Sequence, residues 1–332
     1  MLDISSPKFV KKYIGSEKII NKIDDFISSE EIPQTLLFYG GKGVGKANVA
    51  YLFAKKLLSI GIEEQKQNSE IDLFGGILET SDNSKPKINQ KVELKIENGN
   101  HPDLLVIELT EESEKKSISI DKIREIEFFL NHSPAESKYK IVIIDSIDDL
   151  SNQSANAILK ITEEPNNNSI LILISHNINS VLPTIRSRCF EIFFKNPNEK
   201  EFLEIIKNFD VEYKKELAEY SGFSAGNYLN MLKYDTEIII KFVKKFPNVD
   251  SKDISNISSI FKEDKKDKNK KSYNYNNFKN ILLFDLSKKA KSSKNKDDVK
   301  NFFTALNLFN LHERRNMDIS HSIKEIIYQI AK

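Results

Sequence analysis

The sequence predicts an α/β fold in which a parallel sheet, covered by helices on both faces, is followed by helical domains. Three observations indicate this fold. An apolar run of strand composition, TLLFY (35–39), leads into a glycine-rich loop at 40–47, and an amphipathic helical pattern follows the loop. Further apolar runs alternate with helical patterns up to residue 195, which is typical of a parallel sheet buried on both faces. Beyond that residue the patterns are all helical.

The predicted strands and helices of the sheet region follow one another in order. After the first strand, the strand-like runs are DLLVIEL (103–109), KIVIID (140–145), ILILIS (170–175) and EIFF (191–194). Helical patterns lie between them at IDKIREIEFFL (120–130) and SNQSANAILKITEE (151–164). The segment 61–100 is polar and weakly periodic, so we expect an excursion from the sheet there.

The remainder of the chain divides by its helical pattern. Three short helical segments between 196 and 234 are enough for a small lid domain, and longer helical patterns continue to the end. We therefore expect domains at 1–195, 196–234 and 235–332. Two lysine-rich stretches, 263–271 and 288–298, are expected to be solvated loops, because charge blocks without apolar periodicity stay in water.

Composition excludes several classes of function. The formal net charge is +1 with 30% charged residues, so overall charge gives no case for nucleic-acid binding. Cys189 is the only cysteine, which excludes an internal disulfide and a cysteine-cluster zinc site. No histidine or asparagine at a plausible site makes a case for thiol catalysis, so we interpret Cys189 as a small buried residue. His101 has no cysteine or histidine partners and is interpreted as structural. With no signal peptide or long apolar span evident, we expect a cytoplasmic protein without membrane contact.

The stretch GGKGVGKA (40–47) matches the phosphate-binding pattern G-x-x-x-x-G-K-[ST] except at its last position. In that pattern, backbone N–H groups wrap phosphates, the lysine neutralises their charge, and the hydroxyl binds magnesium. Gly40, Gly45 and Lys46 match, whereas Ala47 carries no hydroxyl. The sequence therefore predicts an inherited loop shape without its metal ligand, which either still holds a phosphate or binds nothing.

A second motif, IVIID (141–145), is an apolar strand that ends in an aspartate expected to help hold magnesium. In active ATPases whose strand resembles this one, a glutamate after the aspartate polarises the attacking water, and here that position is Ser146. A serine does not act as a general base at neutral pH without an activating neighbour. We therefore expect Asp145, together with the loop residues, to form a degenerate nucleotide site in which hydrolysis is lost.

Several longer stretches together carry a family resemblance. They are YIGSEKIINKI (13–23), the loop GGKGVGKA, HPDLLVIE (101–108), ISIDKIREI (118–126), IDSIDDLSNQSANAILKITEEP (144–165) and SHNINSVLPTIRSRCFEIFF (175–194). With these stretches the chain resembles the delta-prime subunits of bacterial DNA polymerase III, a clamp-loader branch of the AAA+ family. The resemblance covers most of residues 1–230, whereas the remainder agrees in length and helical class only. It implies an AAA+ P-loop core, a small helical lid and an all-α C-terminal collar.

The resemblance also implies how this chain acts. Arg188 of the motif SRC would be an arginine finger that reaches the γ-phosphate of ATP on a neighbouring gamma/tau subunit, a task that suits its planar, permanently charged guanidinium. The implied partners are the delta and gamma/tau subunits and, through the complex, the sliding clamp and primed DNA. Many clamp-loader subunits carry a four-cysteine zinc module, but the matching interval 61–100 has no cysteine, so we expect no zinc here. No ATP would be required either. The DNA-directed DNA polymerase (nucleotidyltransferase) activity would belong to another subunit of the holoenzyme.

Other functions stay open from the sequence alone. An active gamma/tau-type ATPase shares the SRC motif, but Ala47 and Ser146 oppose that function. A small-molecule P-loop kinase shares the loop, but SRC and the helical last third oppose it. Arg188 itself could instead pair with an acidic neighbour or cap a helix, and Arg186 is interpreted as structural. Asn227 stands where an active relative would offer a second phosphate-sensing arginine.

Overall fold

The structure of the chain, a computed structural model, divides into two compact units, Met1–Pro197 and Asn198–Lys332. The residues it describes are 6–61, 88–109, 117–163, 165–166, 168–209, 211–262, 270–293, 295–315 and 317–330. The domain edges expected at 195/196 and 234/235 stay predictions.

The first unit contains a five-stranded sheet with the order β2-β3-β4-β1-β5. Its strands are β1 (Thr35–Gly40), β2 (Leu104–Glu108), β3 (Lys140–Asp145), β4 (Ser169–Ser175) and β5 (Phe190–Phe194). All neighbouring pairs are parallel, with Asp145 opposite Ile174 and Gly40 opposite Phe194. The carboxyl ends of the strands therefore share one edge, where the phosphate loop leaves β1.

Helices cover both faces of this sheet, because alternate strand residues are apolar on either side. The helices are α1 (Glu17–Ser29), α2 (Lys46–Leu58), α3 (Gln90–Glu97), α4 (Ile120–Leu130), α5 (Asn152–Glu163) and α6 (Pro183–Arg186). Leu36 and Phe38 share one core with α1, α2 and α3. Leu37, between them, lies on the other face in the core that contains α4, α5 and α6. This arrangement confirms the expected parallel sheet with helices on both faces.

Every regular element in the described residues of the second unit is a helix. Its helices are α7 (Glu199–Ile206), α8 (Lys215–Tyr220), α9 (Ala225–Lys233), α10 (Thr236–Lys245), α11 (Ser251–Ser259), α12 (Lys270–Ser292), α13 (Lys296–Arg314) and α14 (Ile319–Ile330). One hydrophobic core runs from Phe202 on α7 to Ile330 on α14. Ile281, Leu282 and Leu286 are buried in it, so the apolar stripe of α12 serves the core of the unit.

The prediction of a loop over the whole stretch 288–298 is wrong. Helix α12 continues to Ser292 and α13 begins at Lys296, since lysine and alanine are good helix formers and the buried stripe of α12 anchors the turns before them. Most of the other lysine-rich stretch, 263–269, lies outside the described residues. The expected excursion at 61–100 contains the helix α3, while its residues 62–87 are also outside them. No helix of the described ranges is long and apolar enough to cross a membrane.

Candidate functional site

The phosphate loop takes its shape from two glycines. Gly45 has a φ of 93°, in the left-handed region that favours glycine, and a Cβ there would lie 2.8 Å from the Tyr13 ring. A Cβ on Gly40 would lie 2.2 Å from the carbonyl oxygen of Phe194 on the adjacent strand. Both glycines are therefore required by the backbone and the packing of the loop itself, independently of any bound phosphate.

Lys46 begins α2 and turns its side chain back onto the loop. Its Nζ donates hydrogen bonds to the carbonyl oxygens of Gly40 at 2.8 Å and Gly41 at 2.6 Å. Burial lowers the pKa of Lys46 to about 8, although the nearby carboxylates of Asp145 and Asp148 favour its charged form. The cation that would neutralise a phosphate is thus bonded to its own loop.

Asp145, at the end of β3, lies in the electrostatic neighbourhood of Lys46. Burial raises the pKa of Asp145 to about 6, against the opposing effect of the Lys46 cation. The Nε2 atom of His176 lies 3.7 Å from Asp145 Oδ1. Burial, with the charges of Lys46 and Lys42, lowers the pKa of His176 to about 4. The imidazole is therefore neutral at neutral pH, and it makes no charged pair with Asp145.

Ser146 is buried beside this aspartate, and its hydroxyl is already engaged. Its Oγ donates a hydrogen bond of 2.7 Å to Asp149 Oδ2. A hydrolytic site of this class would hold magnesium with a loop hydroxyl and an ionised aspartate, and would orient the attacking water with a polar side chain. The side chain of Ala47 offers no oxygen ligand, and the hydroxyl of Ser146 is bonded to Asp149. Ala47 and Ser146 therefore do not fit this arrangement of a magnesium ligand and a water-orienting side chain.

Asp148 connects this region to the segment that carries the SRC motif. Its carboxylate accepts hydrogen bonds from Ser175 Oγ at 2.9 Å, from the backbone N–H of His176 and from Ser180 Oγ. These contacts fasten the turn after β3 to the chain between β4 and α6. The start of the segment that leads to Arg188 is therefore fixed from the same edge of the sheet as the loop.

Arg188 follows α6 and bonds to residues away from the phosphate loop. Its Nη1 donates to the carbonyl oxygen of Thr184 at 2.7 Å, and its Nη2 donates to Glu163 Oε1 at 2.8 Å. The structure thus brings Gly40, Lys46 and Asp145 together, whereas Arg188 bonds to residues of α5 and α6. The sequence left open that Arg188 pairs with an acidic neighbour, and in the structure that neighbour is Glu163.

Arg186 lies two residues earlier and is engaged differently. Its Nε donates to Glu191 Oε1 at 2.9 Å, and its Nη2 donates to Glu191 Oε2 at 3.3 Å. This two-bond pair joins the end of α6 to β5, and it occupies the guanidinium edge that would grip a phosphate. The geometry agrees with the structural interpretation of Arg186.

The two single residues interpreted as structural have matching surroundings. Cys189 donates from Sγ to the carbonyl oxygen of Ile185 at 3.1 Å, and burial raises its pKa to about 12, the opposite of a reactive thiol. His101 is buried, and its Nδ1 accepts a hydrogen bond from the N–H of Asp103 at 3.2 Å. Burial lowers the pKa of His101. Neither residue lies in a chemical cluster of the described chain that would bind a metal.

Sequence reasoning missed two residues, His176 and Glu163. His176 directly follows β4, and parallel pairing of β4 with β3 brings it next to Asp145. That position was recognisable, because polar residues after neighbouring parallel strands meet at one edge. Glu163 gives no comparable signal, since its contact with Arg188 depends on how α5 packs beside α6.

Comparisons with known proteins agree with these features. A family profile described as DNA polymerase III, delta subunit matches residues 15–198. The chain is 29% identical to DNA polymerase III subunit gamma of Buchnera aphidicola subsp. Schizaphis graminum over 69% of this chain and 58% of that protein. It is 29% identical to DNA polymerase III subunit delta' of Bacillus subtilis over 54% of this chain and 47% of that protein.

A solved DNA polymerase III gamma subunit-related protein from Thermotoga maritima aligns with 92% of this chain and 98% of its own, at 16% identity and a TM-score of 0.45. The chain spans about half the length of the first curated relatives it matches. The family profile itself matches more than half of this chain. By that match, the chain belongs to the DNA polymerase III delta subunit family.

Proposed function

We propose that this chain is a delta-prime-like subunit of the DNA polymerase III clamp loader that completes the subunit ring without hydrolysing ATP. In this role it supplies Arg188 to the ATP site of a neighbouring gamma/tau subunit while the sliding clamp is loaded on primed DNA. One observation carries the proposal: the arginine is anchored and partly exposed, whereas the loop of the same unit has lost its magnesium ligand. Membership of the DNA polymerase III delta subunit family supports the assignment of the chain to the DNA polymerase III complex.

The loop residues support the proposed absence of hydrolysis. Phosphoryl transfer depends on magnesium to neutralise charge on the transferring group, and on a residue that positions the attacking water. The side chain of Ala47 cannot ligate the metal, and the hydroxyl of Ser146 donates a hydrogen bond to Asp149. With Lys46 bonded to two carbonyls of its own loop, the subunit works without a bound cofactor in this proposal.

Arg188 supports the proposed action in trans. Its side chain is 34% exposed, and its bonds to Thr184 and Glu163 use two of its five N–H donors. A guanidinium contributed by a neighbour stabilises the charge that develops on the transferring phosphoryl group, and is worth about 10³ to 10⁵ in rate in other NTPases. Arg186, held by two bonds to Glu191, is the less suitable donor.

The collar contacts of the proposed ring would lie on α13 and α14. Val299 and Phe303, one helical turn apart on α13, are among the exposed apolar side chains, as is Tyr328 on α14. Exposed apolar residues on a helical face favour contact with another helical surface. We assign them to neighbouring clamp-loader subunits. Contact with DNA would be made by the ring as a whole, through backbone phosphates, since the chain carries little net charge.

A second candidate is an active gamma/tau-type ATPase, which the similarity to gamma subunits favours. The isolated chain separates the two candidates. The proposal predicts no ATP turnover above background from the isolated chain, with or without magnesium. Turnover that is abolished by Lys46→Ala would favour the active ATPase.

The finger is tested in a clamp loader reconstituted with delta, gamma/tau, clamp and primed DNA. Arg188→Ala in this chain should lower ATP turnover, while Arg186→Ala should leave it close to wild type. Equal turnover of wild type and Arg188→Ala, with assembly intact, would contradict the proposal.

A further inference from the structure

We infer that Glu163, the last residue of α5, is a positioning residue that holds the guanidinium of Arg188 in the orientation it presents to the neighbouring subunit. This inference rests on the proposed function, because it assigns Glu163 a part in the same site. Glu163 would act through the arginine and would not touch the nucleotide.

The two contacts of Arg188 fix more than its position. Nη2 bonds to Glu163 on α5, and Nη1 bonds to the carbonyl oxygen of Thr184 on α6. A guanidinium is rigid and planar, so bonds at two of its nitrogens to acceptors on separate helices restrict both the direction and the rotation of the plane. Thr184 contributes a backbone carbonyl that a side-chain substitution leaves in place. Glu163 is therefore the side chain through which this orientation can be changed.

Because the Arg188–Glu163 ion pair is exposed, its effect on the orientation of the arginine can be measured apart from its effect on stability. The side chains of Arg188 and Glu163 are 34% and 49% exposed. Ion pairs this exposed add little to the stability of a protein, because water and salt screen them. The long side chain of Arg188 must nevertheless lose rotamer freedom before it can act on a phosphate. Its bond to Glu163 already restricts those rotamers, so less conformational entropy is lost when the arginine acts. Loss of Glu163 should therefore affect the finger much more than the fold.

The chain contains a matched pair that lacks the proposed role. Arg186 and Glu191 form an ion pair of similar exposure, 39% and 29%, two residues from Arg188 in sequence. Their substitution removes a comparable surface interaction from the same part of the unit. A general structural disturbance would appear in both pairs, whereas a positioning effect would appear only with Glu163.

The test uses the reconstituted clamp loader with ATP as the probe, and measures kcat and KM for variants of this chain. Glu163→Ala should lower kcat about two- to tenfold, the factor expected from ordering one long side chain, with KM for ATP unchanged. Glu163→Gln should be less impaired, since its amide oxygen can still accept the hydrogen bond. Glu191→Ala should match wild type. All three variants should keep the melting temperature of the wild-type chain within a few degrees.

The double variant Glu163→Ala with Arg188→Ala completes the test. It should be no slower than Arg188→Ala alone, because Glu163 acts only through the arginine. If Glu163→Ala equals or exceeds wild type while Arg188→Ala is slow, the inference is wrong and the proposed finger stands. If Arg188→Ala itself has no effect, the proposed function fails, and the inference fails with it.

Discussion

The ammonium of Lys46 donates a hydrogen bond of 2.6 Å to the carbonyl oxygen of Gly41, so the cation of the phosphate loop is bonded to the loop itself. A nucleotide entering the loop would have to replace this bond and the similar bond to Gly40. Without an oxygen ligand at Ala47, magnesium would give little compensation. In the proposed function, the bonds of Lys46 to its own loop and the missing hydroxyl at Ala47 both disfavour nucleotide binding.

Magnesium should therefore not strengthen nucleotide binding to the isolated chain. Titration of a fluorescent ATP analogue should give the same weak affinity in magnesium and in EDTA, because position 47 cannot ligate the metal. Affinity at least tenfold tighter in magnesium would show a metal ligand that replaces the missing hydroxyl.

Substitution of Asp103 by asparagine should destabilise the first unit. Its buried carboxylate accepts bonds from the N–H groups of Ala135, Glu136 and Ser137, and from the hydroxyl of Ser137. An asparagine would point N–H donors at some of these donors, so we expect a loss of roughly 2–4 kcal/mol in unfolding free energy at pH 7. Urea denaturation measures it, with Asp121→Asn, at an exposed surface pair, as the control.

The effect of Asp103→Asn should also depend on pH. Burial opposes ionisation, but the four hydrogen bonds outweigh it and hold the pKa of Asp103 below its ordinary 3.8. The stabilisation from ionised Asp103 is therefore present above that value and is lost as pH falls through the lower folded pKa. The difference between variant and wild type should shrink in strong acid. A difference that grows instead would contradict this account of the carboxylate.

Asp145 should show the opposite dependence on pH. Burial raises its pKa from 3.8 to about 6, so the ionised form disfavours the folded state. This penalty is absent below pH 3.8, the pKa of Asp145 in the unfolded chain. It grows as pH rises from about 4 to about 6 and is complete above the folded pKa of about 6. Asp145→Asn should therefore gain stability relative to wild type as pH rises through this window, by urea denaturation. A variant that loses stability over the same window would show that the Lys46 attraction outweighs burial.

Phe303 should be required for assembly and dispensable for folding. It is 55% exposed on α13, and its ring contacts that of Phe302. Phe303→Ser removes exposed apolar area, so we expect about tenfold weaker association with the other clamp-loader subunits in sedimentation or light scattering. The melting temperature should change little. Lys300→Ser on the same helix is the control. If the two variants associate equally well with the other subunits, Phe303 is not part of the collar contact.

The core of the first unit was predictable because its signals are local. The strands are continuous apolar runs, and Gly40 and Gly45 mark the turn into α2. Helices α3 and α11 give weaker patterns, since each buries few residues and carries polar side chains elsewhere. The wrong loop at 288–298 has the same origin, because a lysine-rich composition describes solvent exposure and does not by itself exclude a helix.

Tertiary contacts decide what the sequence could not show. Lys55 is completely buried, yet its ammonium pairs with Glu93 and Glu97 of α3 and donates to the carbonyl oxygen of Val10. Its partners lie far along the chain, so no local pattern reports them. Glu163 meets Arg188 across 25 residues in the same way. The candidate loop could thus be recognised from sequence, while the contacts that hold Lys46 and Arg188 required the fold.

Whether this chain donates a finger is decided by comparing Lys46→Ala with Arg188→Ala in it, within the reconstituted clamp loader. The measured quantity is the rate of a single ATP turnover in the presence of clamp and primed DNA. We predict a slower turnover with Arg188→Ala and an unchanged one with Lys46→Ala, because in the proposed function this chain donates a finger and uses no nucleotide of its own. A slow Lys46→Ala complex beside a normal Arg188→Ala complex would contradict it.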